Sequence, residues 1–430
     1  MKSLEQIAQA LQGYDPHALP AHTVGAFLAE LVPVATRTES LALMDALGRV
    51  LASDVVCPIN VPNHDNAAMD GYAFDGSALR ADQPLSLRVV GTARAGASHD
   101  AAVGAGQCAR IMTGAVMPAG TDTVVPQELV TEADARVTLA PGVVARGDNR
   151  RLAGEDLREG SVALTRGTRI TPAVLGLLAS LGLARVQVYA RLRVAYFSTG
   201  DEILSLGDTA REGAVFDSNR YTVCGMLQRM GIDVLDLGVV PDQPAALEAA
   251  FIRAAQEADA TISSGGVSVG EADHTKAMMR KLASSAPDGS GGGVVFWRIA
   301  MRPGRPMAVG RIGHKPLFGL PGNPVAVMVT FLAFVRPALW QMMGARYSEP
   351  PLLQARSTEA IRKKPGRTEY QRAVVHTDSS GALLVRTTGQ QGSGVLRSMV
   401  EANGLLVLPH HQGNVAVGDT VSVMLFEGVV

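Results

Sequence analysis

The chain has 430 residues, and at roughly 150 residues per domain this length predicts about three domains. Apolar residues make up 47% of the chain, so large cores can be buried, whereas aromatic residues make up only 4%. So few aromatic rings argue against stacking platforms for single-stranded nucleic acid. A formal net charge of −1 gives no general attraction for nucleic acid or anionic membranes, so any anion must bind at a local cluster.

Cysteine usage and the apolar segments indicate the compartment. Cys57, Cys108 and Cys224 are widely spaced and form no CxxC motif and no plausible disulfide framework, which fits a reducing cytoplasm. The segment 1–10 lacks the apolar core of a signal peptide. The most apolar late stretch, 324–335, is too short to span a bilayer. We therefore expect a soluble, cytoplasmic protein.

The first part of the chain predicts a helical domain with an insertion. Helical spacing of apolar residues in 24–56 is seen at Val24, Phe27, Leu28 and Leu31 and again at Leu41, Met44 and Leu47. Residues 60–147 instead contain short strand-like segments separated by Gly, Pro and Asp, which predicts a small β-rich domain. The helical pattern returns around 173–183. The β-rich domain is therefore expected to be inserted into a helical domain.

Strands and helices alternate in residues 191–345, which predicts a doubly wound α/β domain. The predicted strands are 192–197, 233–239, 261–263, 294–299 and 307–309. The predicted helices are 218–230, 245–257, 273–283 and 323–343. The segment 284–293 predicts a flexible surface loop. Residues 346–430 are β-rich again and predict a small barrel or sandwich. The fold class is thus multidomain α/β.

The first predicted strand of the α/β domain ends in STGDE (198–202). In open α/β sheets, ligands bind outside the carboxyl ends of the strands. Carboxylates there, such as that of Glu202, can hold a hard cation such as Mg²⁺. An ordinary turn that caps the next element explains the motif equally well, because Asp and Gly are common turn residues.

The third predicted strand runs into SSGGVSVGEAD (263–273). Its glycines let the backbone approach a ligand closely, and its N–H groups and hydroxyls suit a phosphate-like anion. Asp273 would add a metal ligand at the start of the next helix. A glycine-rich turn with an acidic N-cap is the alternative, and the P-loop and GxGxxG patterns are missing. The combination still favours a binding loop, with the candidates Ser263, Gly265, Gly266 and Ser268.

Asp242 follows another predicted strand, in VVPD (239–242). It is either the cap of the helix predicted from Ala245 or a further carboxylate in the same crevice. Taken alone, the motif favours the cap.

Two arginines lie in the MRPGRP string (301–306), and a third lies shortly before it. Arg302 and Arg305 flank a Pro-Gly turn, and Arg298 would face the same side as Arg302 on an extended chain. Guanidinium groups bind tetrahedral oxyanions in a bidentate manner. A solvated surface turn is the alternative, but the apolar neighbours favour an oxyanion site.

Pro321 lies in LPGNP (320–324), which opens the last predicted helix of the α/β domain. A freely turning Gly322, a capping Asn323 and Pro324 at the first helical position explain this string structurally. An anion could still bind at the N-terminus of the helix.

The remaining motifs exclude some chemistries. The histidines form no HxxxH or HExxH pair, and the adjacent His410 and His411 would point to opposite faces of a strand. No cysteine has an evident His–Asn partner, so covalent nucleophilic catalysis is disfavoured. Carboxylates for Mg²⁺ and arginines for an oxyanion remain.

Taken together, the motifs resemble the molybdopterin molybdenumtransferase family, which includes bacterial MoeA proteins and the E domain of gephyrin. The resemblance follows the chain in order and spans almost all of it. The matching strings are DNAAMDGYA (65–73), RIMTGA (110–115), GED (154–156), STGDE (198–202), SSGGVSVGEAD (263–273), MRPGRP (301–306), GLPGNP (319–324), GRTEYQR (366–372) and TTGQQGS (387–393).

The resemblance implies an elongated homodimer of four-domain subunits. The implied domains are a helical dimerisation domain (1–58 and 148–190), an inserted β-rich domain (59–147), an α/β molybdopterin-binding domain (191–345) and a C-terminal β-barrel-like domain (346–430). The α/β domain of one subunit would face the inserted domain of the other.

The resemblance also implies site residues, position by position. The implied catalytic residues are Asp65, Thr113, Asp156, Glu202 and Asp273. The implied metal ligands are Glu202, Asp242 and Asp273. The implied oxyanion site contains Arg302, Arg372 and Ser393, with Arg298 beside them. Arg298 and Arg302 stand where relatives often carry Lys, and Ala67 stands where Ser is common.

The implied reaction starts from adenylylated molybdopterin and molybdate and uses Mg²⁺. Molybdenum is inserted into the pterin dithiolene, the adenylate is hydrolysed and AMP is released. Contacts with the molybdopterin adenylyltransferase and with apo-molybdoenzymes would follow. The alternatives are the adenylylation step itself, a tungstate-specific homologue and a non-catalytic scaffold of the gephyrin type. The sequence shows no long linker and no fused partner domain, which disfavours the scaffold.

Overall fold

The computed structural model describes residues 2–11, 14–97, 101–266, 275, 277, 278, 280, 281, 293–346 and 349–426. The chain divides into two compact units. The first unit comprises residues 1–39, 48–52 and 187–430, and the second comprises residues 40–47 and 53–186.

The secondary structure is as follows, in chain order. Up to residue 189 it consists of α1 (Leu4–Ala10), α2 (Ala21–Leu31), β1 (Thr38–Ala42), β2 (Val55–Val56), β3 (Asn66–Ala67), β4 (Gly71–Phe74), β5 (Leu85–Ala93), β6 (Gln107–Ile111), β7 (Thr123–Pro126), β8 (Val130–Ala133), β9 (Arg136–Leu139), β10 (Arg150–Arg151), β11 (Val162–Leu164), α3 (Pro172–Ser180) and β12 (Arg185–Tyr189). Beyond it follow β13 (Arg193–Thr199), β14 (Ile203–Leu204), β15 (Val215–Phe216), α4 (Ser218–Arg229), β16 (Asp233–Val240), α5 (Pro244–Glu257), β17 (Ala260–Ser264), β18 (Gly293–Arg298), β19 (Met301–Arg302), β20 (Pro306–Ile312), β21 (Lys315–Leu320), α6 (Pro324–Thr330), α7 (Arg336–Met342), β22 (Leu353–Ser357), β23 (Thr368–Thr377), β24 (Leu383–Thr387), α8 (Arg397–Glu401), β25 (Gly404–Leu408) and β26 (Thr420–Leu425).

The centre of the first unit is a six-stranded sheet in the order β16-β13-β17-β21-β20-β18. The first four strands are parallel, and β20 and β18 extend the sheet antiparallel. Strands β13 and β17 read as continuous apolar or small-residue runs because both of their faces are buried. The prediction of a doubly wound α/β domain is confirmed. The central strand β21 was not predicted.

Helices cover both faces of this sheet. The Asp217 carboxylate caps α4 by accepting a hydrogen bond from the Arg220 amide, at 3.0 Å. Helix α2 buries Phe27, whose ring meets the Trp297 indole edge-on at 4.9 Å between centroids. Trp297 in turn donates from Nε1 to the Tyr14 hydroxyl at 3.0 Å. The N-terminal helices therefore belong to the core of the α/β unit.

The helix that begins at Pro324 runs to Met342 and contains a π-helical turn at Phe331–Val335. Pro337 lies just beyond this turn, and because a proline lacks an N–H and crowds the carbonyl four residues earlier, the regular ladder must widen there. In the described part of the chain this helix is long and apolar enough to cross a membrane. However, 72% of its apolar window is buried inside the fold, as expected for a core helix.

The C-terminal strands close into a barrel. Strand β23 pairs with β24 and β25, β26 joins β25 to β22, and β22 pairs with β24. The short strand β19 adds to β23 in parallel. The predicted barrel is confirmed, and β22 is an additional strand. Closure pairs the strand edges that an open sheet would expose.

The second unit contains a six-stranded sheet in the order β7-β4-β6-β5-β9-β8, formed by residues 71–139. Gly71 is required in β4, since a Cβ there would lie 1.9 Å from the Val125 carbonyl oxygen. Helix α3 begins with Thr171, whose hydroxyl accepts from the Val174 amide, followed by Pro172. These are the N-terminal signals expected of a helix.

One prediction in the N-terminal region is wrong. Residues 38–56 form no α-helix: β1 is followed by a 3₁₀ turn at Leu43–Ala46. Helix α2 ends before Pro33, and the apolar residues of the second stretch do not form a buried stripe, because Met44 is 81% exposed. Helices α1 and α2 lie in the first unit and α3 in the second.

Candidate active site

A cavity of about 760 Å³ opens at the carboxyl edge of the parallel strands in the first unit. Strands β13, β17 and β21 end beside it, as expected for a ligand site in a doubly wound sheet. Its lining consists of Thr199, Gly200, Glu202, Asp242, Gly265, Gly266, Arg302, Pro303, Gly304, Arg305, Pro306, Pro321, Gly322, Asn323, Ala326, Arg367, Gln391, Gly392 and Ser393.

In the glycine loop after β17, main-chain atoms without side chains line the cavity. Gly265 has φ +89°, and a Cβ there would lie 2.1 Å from the Thr199 carbonyl oxygen. Gly266 has φ +63°, and a Cβ there would lie 2.4 Å from the Thr275 hydroxyl. Both positions therefore require glycine, and their backbone can approach a ligand closely. The predicted Ser268 and Asp273 lie outside the described residues.

Ser263 does not line the cavity. It is fully buried in β17, and its hydroxyl has no hydrogen-bond partner among the described residues. Its neighbour Ser264 belongs to a buried network in which the Tyr196 hydroxyl lies 2.7 Å from the Ser264 hydroxyl. Ser198, also in this network, donates to Asp217 at 2.9 Å. These groups form the support beneath the cavity.

Two carboxylates form an acidic wall, Glu202 after β13 and Asp242 after β16. The Glu202 carboxylate folds over Gly200, where an added Cβ would lie 2.6 Å from it. Asp242 does not cap α5: the N-cap is Gln243, which makes no side-chain cap hydrogen bond. Instead Asp242 accepts from the Thr275 hydroxyl at 3.4 Å. The cap interpretation is therefore wrong, and Asp242 is a carboxylate of the cavity.

An arginine wall stands in the same cavity, formed by Arg302, Arg305 and Arg367. Gly304 between the first two has φ +92°, and a Cβ there would meet the Thr330 hydroxyl at 2.4 Å. The turn therefore packs tightly on the long helix while its arginines remain exposed. Such a wall suits a tetrahedral oxyanion.

Arg298 is not brought into this cavity. It is exposed at the end of β18, and its main chain pairs with the N-terminal segment: its amide donates to the Pro16 carbonyl at 2.8 Å, and its carbonyl accepts from the Leu19 amide at 3.2 Å.

Arg372 lies behind the cavity lining, 1% exposed. Its guanidinium donates to the Ser398 hydroxyl at 2.9 Å and to the carbonyls of Gln390 and Gly392 at 3.2 and 3.0 Å. Burial, with the nearby charge of Arg302, lowers the pKa of Arg372 to about 10. Arg372 thus holds the loop that presents Ser393 to the cavity.

Pro321 lies in the floor of the cavity, in a turn held from below. The Asn219 side chain donates to the Gly322 carbonyl at 2.7 Å, and the Val325 amide donates to the Ser393 carbonyl at 3.0 Å. The sequence did not single out Asn219, although it lies two residues after the capping Asp217 in DSN (217–219).

The second unit contains three of the strings that carry the resemblance, DNAAMDGYA (65–73), RIMTGA (110–115) and GED (154–156). Asp65 accepts from the Ala153 amide at 2.7 Å and from the Arg150 guanidinium. Thr113 donates from both its amide and its hydroxyl to Asp70, each at 2.7 Å. These two hydrogen bonds lower the pKa of Asp70.

Asp156 is exposed in the same unit, and its amide donates to the Val61 carbonyl at 3.1 Å. Asp65, Thr113 and Asp156 therefore all belong to the second unit.

Metal-binding groups are sparse. Among the described residues, no group of three or more His, Cys, Asp or Glu side chains is arranged to hold a metal. Glu202 and Asp242 supply two carboxylates to the cavity, which is the donor type that Mg²⁺ prefers.

The fold and the cavity define a multidomain α/β protein whose cavity, at the carboxyl edge of the sheet, is suited to an anionic ligand. Family models cover the chain in three parts: the MoeA N-terminal region (domains I and II) at residues 17–182, a probable molybdopterin-binding domain at 195–341 and the MoeA C-terminal region (domain IV) at 354–426.

Individual relatives agree with these models. The chain is 41% identical to a molybdopterin molybdenumtransferase of Haemophilus influenzae, over 92% of this chain and 96% of the relative. It is 36% identical to one from a Nostoc species, over 90% and 88% respectively. A crystal structure of a molybdopterin biosynthesis moeA protein from Pyrococcus horikoshii matches with TM-score 0.79 and 27% identity, covering 95% of this chain and 100% of that one. The chain belongs to the molybdopterin molybdenumtransferase family.

Asp65 is predicted to stabilise the second unit in a pH-dependent way. Partial burial works to raise the pKa of Asp65, but the Ala153 amide and Arg150 outweigh it and lower the pKa. A lowered folded-state pKa gives stability that is present above the ordinary carboxyl pKa, near 4, and is lost as the pH falls through the folded value. Asp65→Asn should cost roughly 1–2 kcal/mol at pH 7.

The measurement is thermal unfolding of wild type and Asp65→Asn between pH 3 and 8. The difference should shrink as the pH drops below about 4. Asp82→Asn, at an exposed turn position of the same unit, is the control and should have no effect. A difference that is constant across the whole pH range would contradict the assignment.

Proposed function

We propose that this chain inserts molybdenum from molybdate into adenylylated molybdopterin, with release of AMP and formation of molybdenum cofactor. The observation that carries the proposal is one cavity with an acidic wall, an arginine wall and a glycine loop. The arginines suit a tetrahedral dianion, and the glycine loop suits the phosphate-bearing link of the pterin substrate. The family relatives, named molybdopterin molybdenumtransferases, support the same reaction.

The arginine wall and the acidic wall have different roles in the proposed reaction. Arg302 and Arg305, with the loop that carries Ser393, bind molybdate beside the dithiolene. The backbone of Gly265 and Gly266 orients the phosphoanhydride. The Glu202 carboxylate accepts a proton from the water that attacks this link. The P–O bond to the adenylyl phosphate then breaks and AMP leaves, while the two dithiolene thiols replace one oxygen on molybdenum, and that oxygen leaves as water with the two thiol protons.

Mg²⁺ is proposed as the cofactor because the acidic wall has the right donors. Glu202 and Asp242 would hold it, together with Asp273, which lies outside the described residues. When bound, it would neutralise charge on the phosphate oxygens. Asp242 is the better candidate for a pure ligand, because it also accepts from Thr275 and is partly buried.

The proposal extends to the assembly. The active form would be a cytoplasmic homodimer, in which Asp65, Thr113 and Asp156 of the partner subunit act on the bound substrate. Transient contacts would deliver substrate from the molybdopterin adenylyltransferase and pass the product to apo-molybdoenzymes. Sedimentation equilibrium of the purified chain tests the dimer, and a monomer with full activity would refute it.

The test of the reaction is AMP release from adenylylated molybdopterin with Mg²⁺, in the presence and absence of molybdate. Molybdate should be required, and the product should activate an apo-molybdoenzyme. Release with tungstate but not molybdate would instead indicate the tungstate homologue. Formation of adenylylated substrate from ATP would indicate the adenylyltransferase. If a folded dimer left the substrate intact under all conditions, the non-catalytic scaffold would be the remaining alternative.

A further inference from the structure

A second site lies at the amino ends of the parallel strands, the edge of the sheet opposite to the candidate active-site cavity. Arg193 opens β13, Lys315 opens β21, and Asp259 directly precedes β17. Two adjoining depressions of about 220 and 350 Å³ lie here and share Arg37, Arg191, Asp259 and Lys315 in their linings. Together these depressions are called the amino-edge pocket.

Main-chain hydrogen bonds fix the frame of the amino-edge pocket. The Ala190 amide donates to the Arg37 carbonyl at 2.9 Å, and the Ala35 amide donates to the Met342 carbonyl at 2.9 Å. These bonds tie the segment 33–37 to the start of the α/β domain and to the end of its long helix. Because the pocket is pre-formed, a ligand need not order these segments when it binds.

Two carboxylates of the pocket already have cationic partners. Asp259 accepts from the Arg37 guanidinium at 3.1 and 3.0 Å, and from the Arg193 amide at 2.8 Å. Glu257 accepts from the Arg253 guanidinium at 3.0 Å. Since a positive charge lies beside each of them, these carboxylates repel an incoming anion only weakly.

Two cations of the pocket, in contrast, have no carboxylate partner. Among the residues that the structure describes, the Arg193 guanidinium makes no hydrogen bond or ion pair, and Lys315 Nζ makes only a long hydrogen bond, 3.4 Å, to the Gln256 carbonyl. A third cation, Arg191, lies 3.9 Å from Asp233, and both of these side chains are largely exposed. Such a surplus of positive charge suits a dianion, which guanidinium and ammonium groups bind by charge-assisted hydrogen bonds.

The smaller depression of the pocket is mainly apolar. Its wall contains Pro33, Val34, Ala35, Leu192 and Met342. Val34 is a large apolar side chain that is 47% exposed. A ligand with a compact apolar or planar body can bury that body here while its charged end contacts the cations. A bare inorganic ion would leave the apolar wall in contact with water.

We propose that the amino-edge pocket binds a small organic phosphate, a dianion attached to a compact apolar or planar body. The phosphate contacts Arg193 and Lys315, and the body packs against Val34. The inference goes beyond the proposed function and does not depend on it. Strands β13 and β21 run from this pocket to the active-site cavity, so the ligand binds without displacing the substrate and is placed to act as an effector.

The experiment is calorimetric titration of the full chain with phenyl phosphate and, separately, with inorganic phosphate. Phenyl phosphate should bind about tenfold more tightly than inorganic phosphate, because its ring covers the apolar wall. Arg193→Gln and Lys315→Gln should each weaken the binding of phenyl phosphate by about tenfold or more, the loss expected for a charge-assisted hydrogen bond.

Two further variants serve as controls. Arg397→Gln removes an 87% exposed arginine that pairs with Glu401, and it should bind phenyl phosphate normally. Arg302→Gln removes a cation from the active-site cavity and should leave this binding unchanged. Circular dichroism establishes that each variant is folded.

Three results would overturn the inference. If binding fell in Arg302→Gln and not in folded Arg193→Gln and Lys315→Gln, the phosphate would lie in the active-site cavity instead. Equal affinities for phenyl phosphate and inorganic phosphate would rule out a ligand with an apolar body. A wild-type chain that bound neither compound would leave no organic phosphate site at this edge of the sheet.

Discussion

Glu202→Gln is expected to lower molybdate-dependent AMP release by about 100-fold or more, the range associated with loss of a general base. The substitution keeps the size of the side chain and removes the charge that faces the cavity. Because Glu202 is exposed, the fold should be unaffected. The measurement is the single-turnover rate of AMP release at saturating molybdate.

Glu212→Gln is the matched control, since Glu212 is exposed in the loop that follows and lies outside the cavity lining. It should turn over normally. Recovery of the Glu202→Gln rate at high Mg²⁺ would assign Glu202 to metal holding rather than proton transfer. An unchanged rate would remove Glu202 from the chemistry altogether.

Gly265→Ala is expected to destabilise the first unit by about 2–3 kcal/mol or more. The residue has φ +89°, and the new Cβ would lie 2.1 Å from the Thr199 carbonyl oxygen, so β13 or the loop must move. Since that loop also lines the cavity, binding of the adenylylated substrate should weaken as well. Urea unfolding and substrate titration measure the two effects.

The control for this prediction is Gly225→Ala in α4, where a Cβ would meet nothing within 4 Å. There the substitution should be neutral or stabilising by up to about 1 kcal/mol, since alanine is the better helix former. Equal effects at the two positions would refute the requirement for glycine at 265.

Local signals predicted some elements well. Helix α4 was expected at 218–230 and is found at Ser218–Arg229, because Asp217 caps its start and Gly231, with φ +74°, ends it. The lining of the cavity by Thr199, Gly200, Glu202, Gly265 and Gly266 also follows from local rules, since ligand loops follow parallel strands.

Other features depend on contacts that no local pattern encodes. Strand β21 is central and buried, but Pro316 and Gly319 break its pattern in the sequence. The pairing of β19 with β23 joins segments far apart in the chain, and only this pairing shows that Arg367 faces the cavity. The burial of Arg372 could not be predicted either, because Arg367 and Arg372 look equivalent in the short string GRTEYQR (366–372).

The π-helical turn at Phe331–Val335 has a further consequence for the helix that contains it. A wide turn accommodates one more residue than a regular turn, so the faces beyond it are rotated by about 100° relative to an unbroken helix. The N-terminal half presents Ala326 to the cavity, while the C-terminal half directs Gln341 to the Ala29 carbonyl of α2 at 2.8 Å. One helix can thereby contact two surfaces that a regular α-helix, with its fixed rotation per residue, could not face at the same time. Deleting one residue from this turn would hardly change the composition, but it would rotate one half of the helix away from the surface that it contacts.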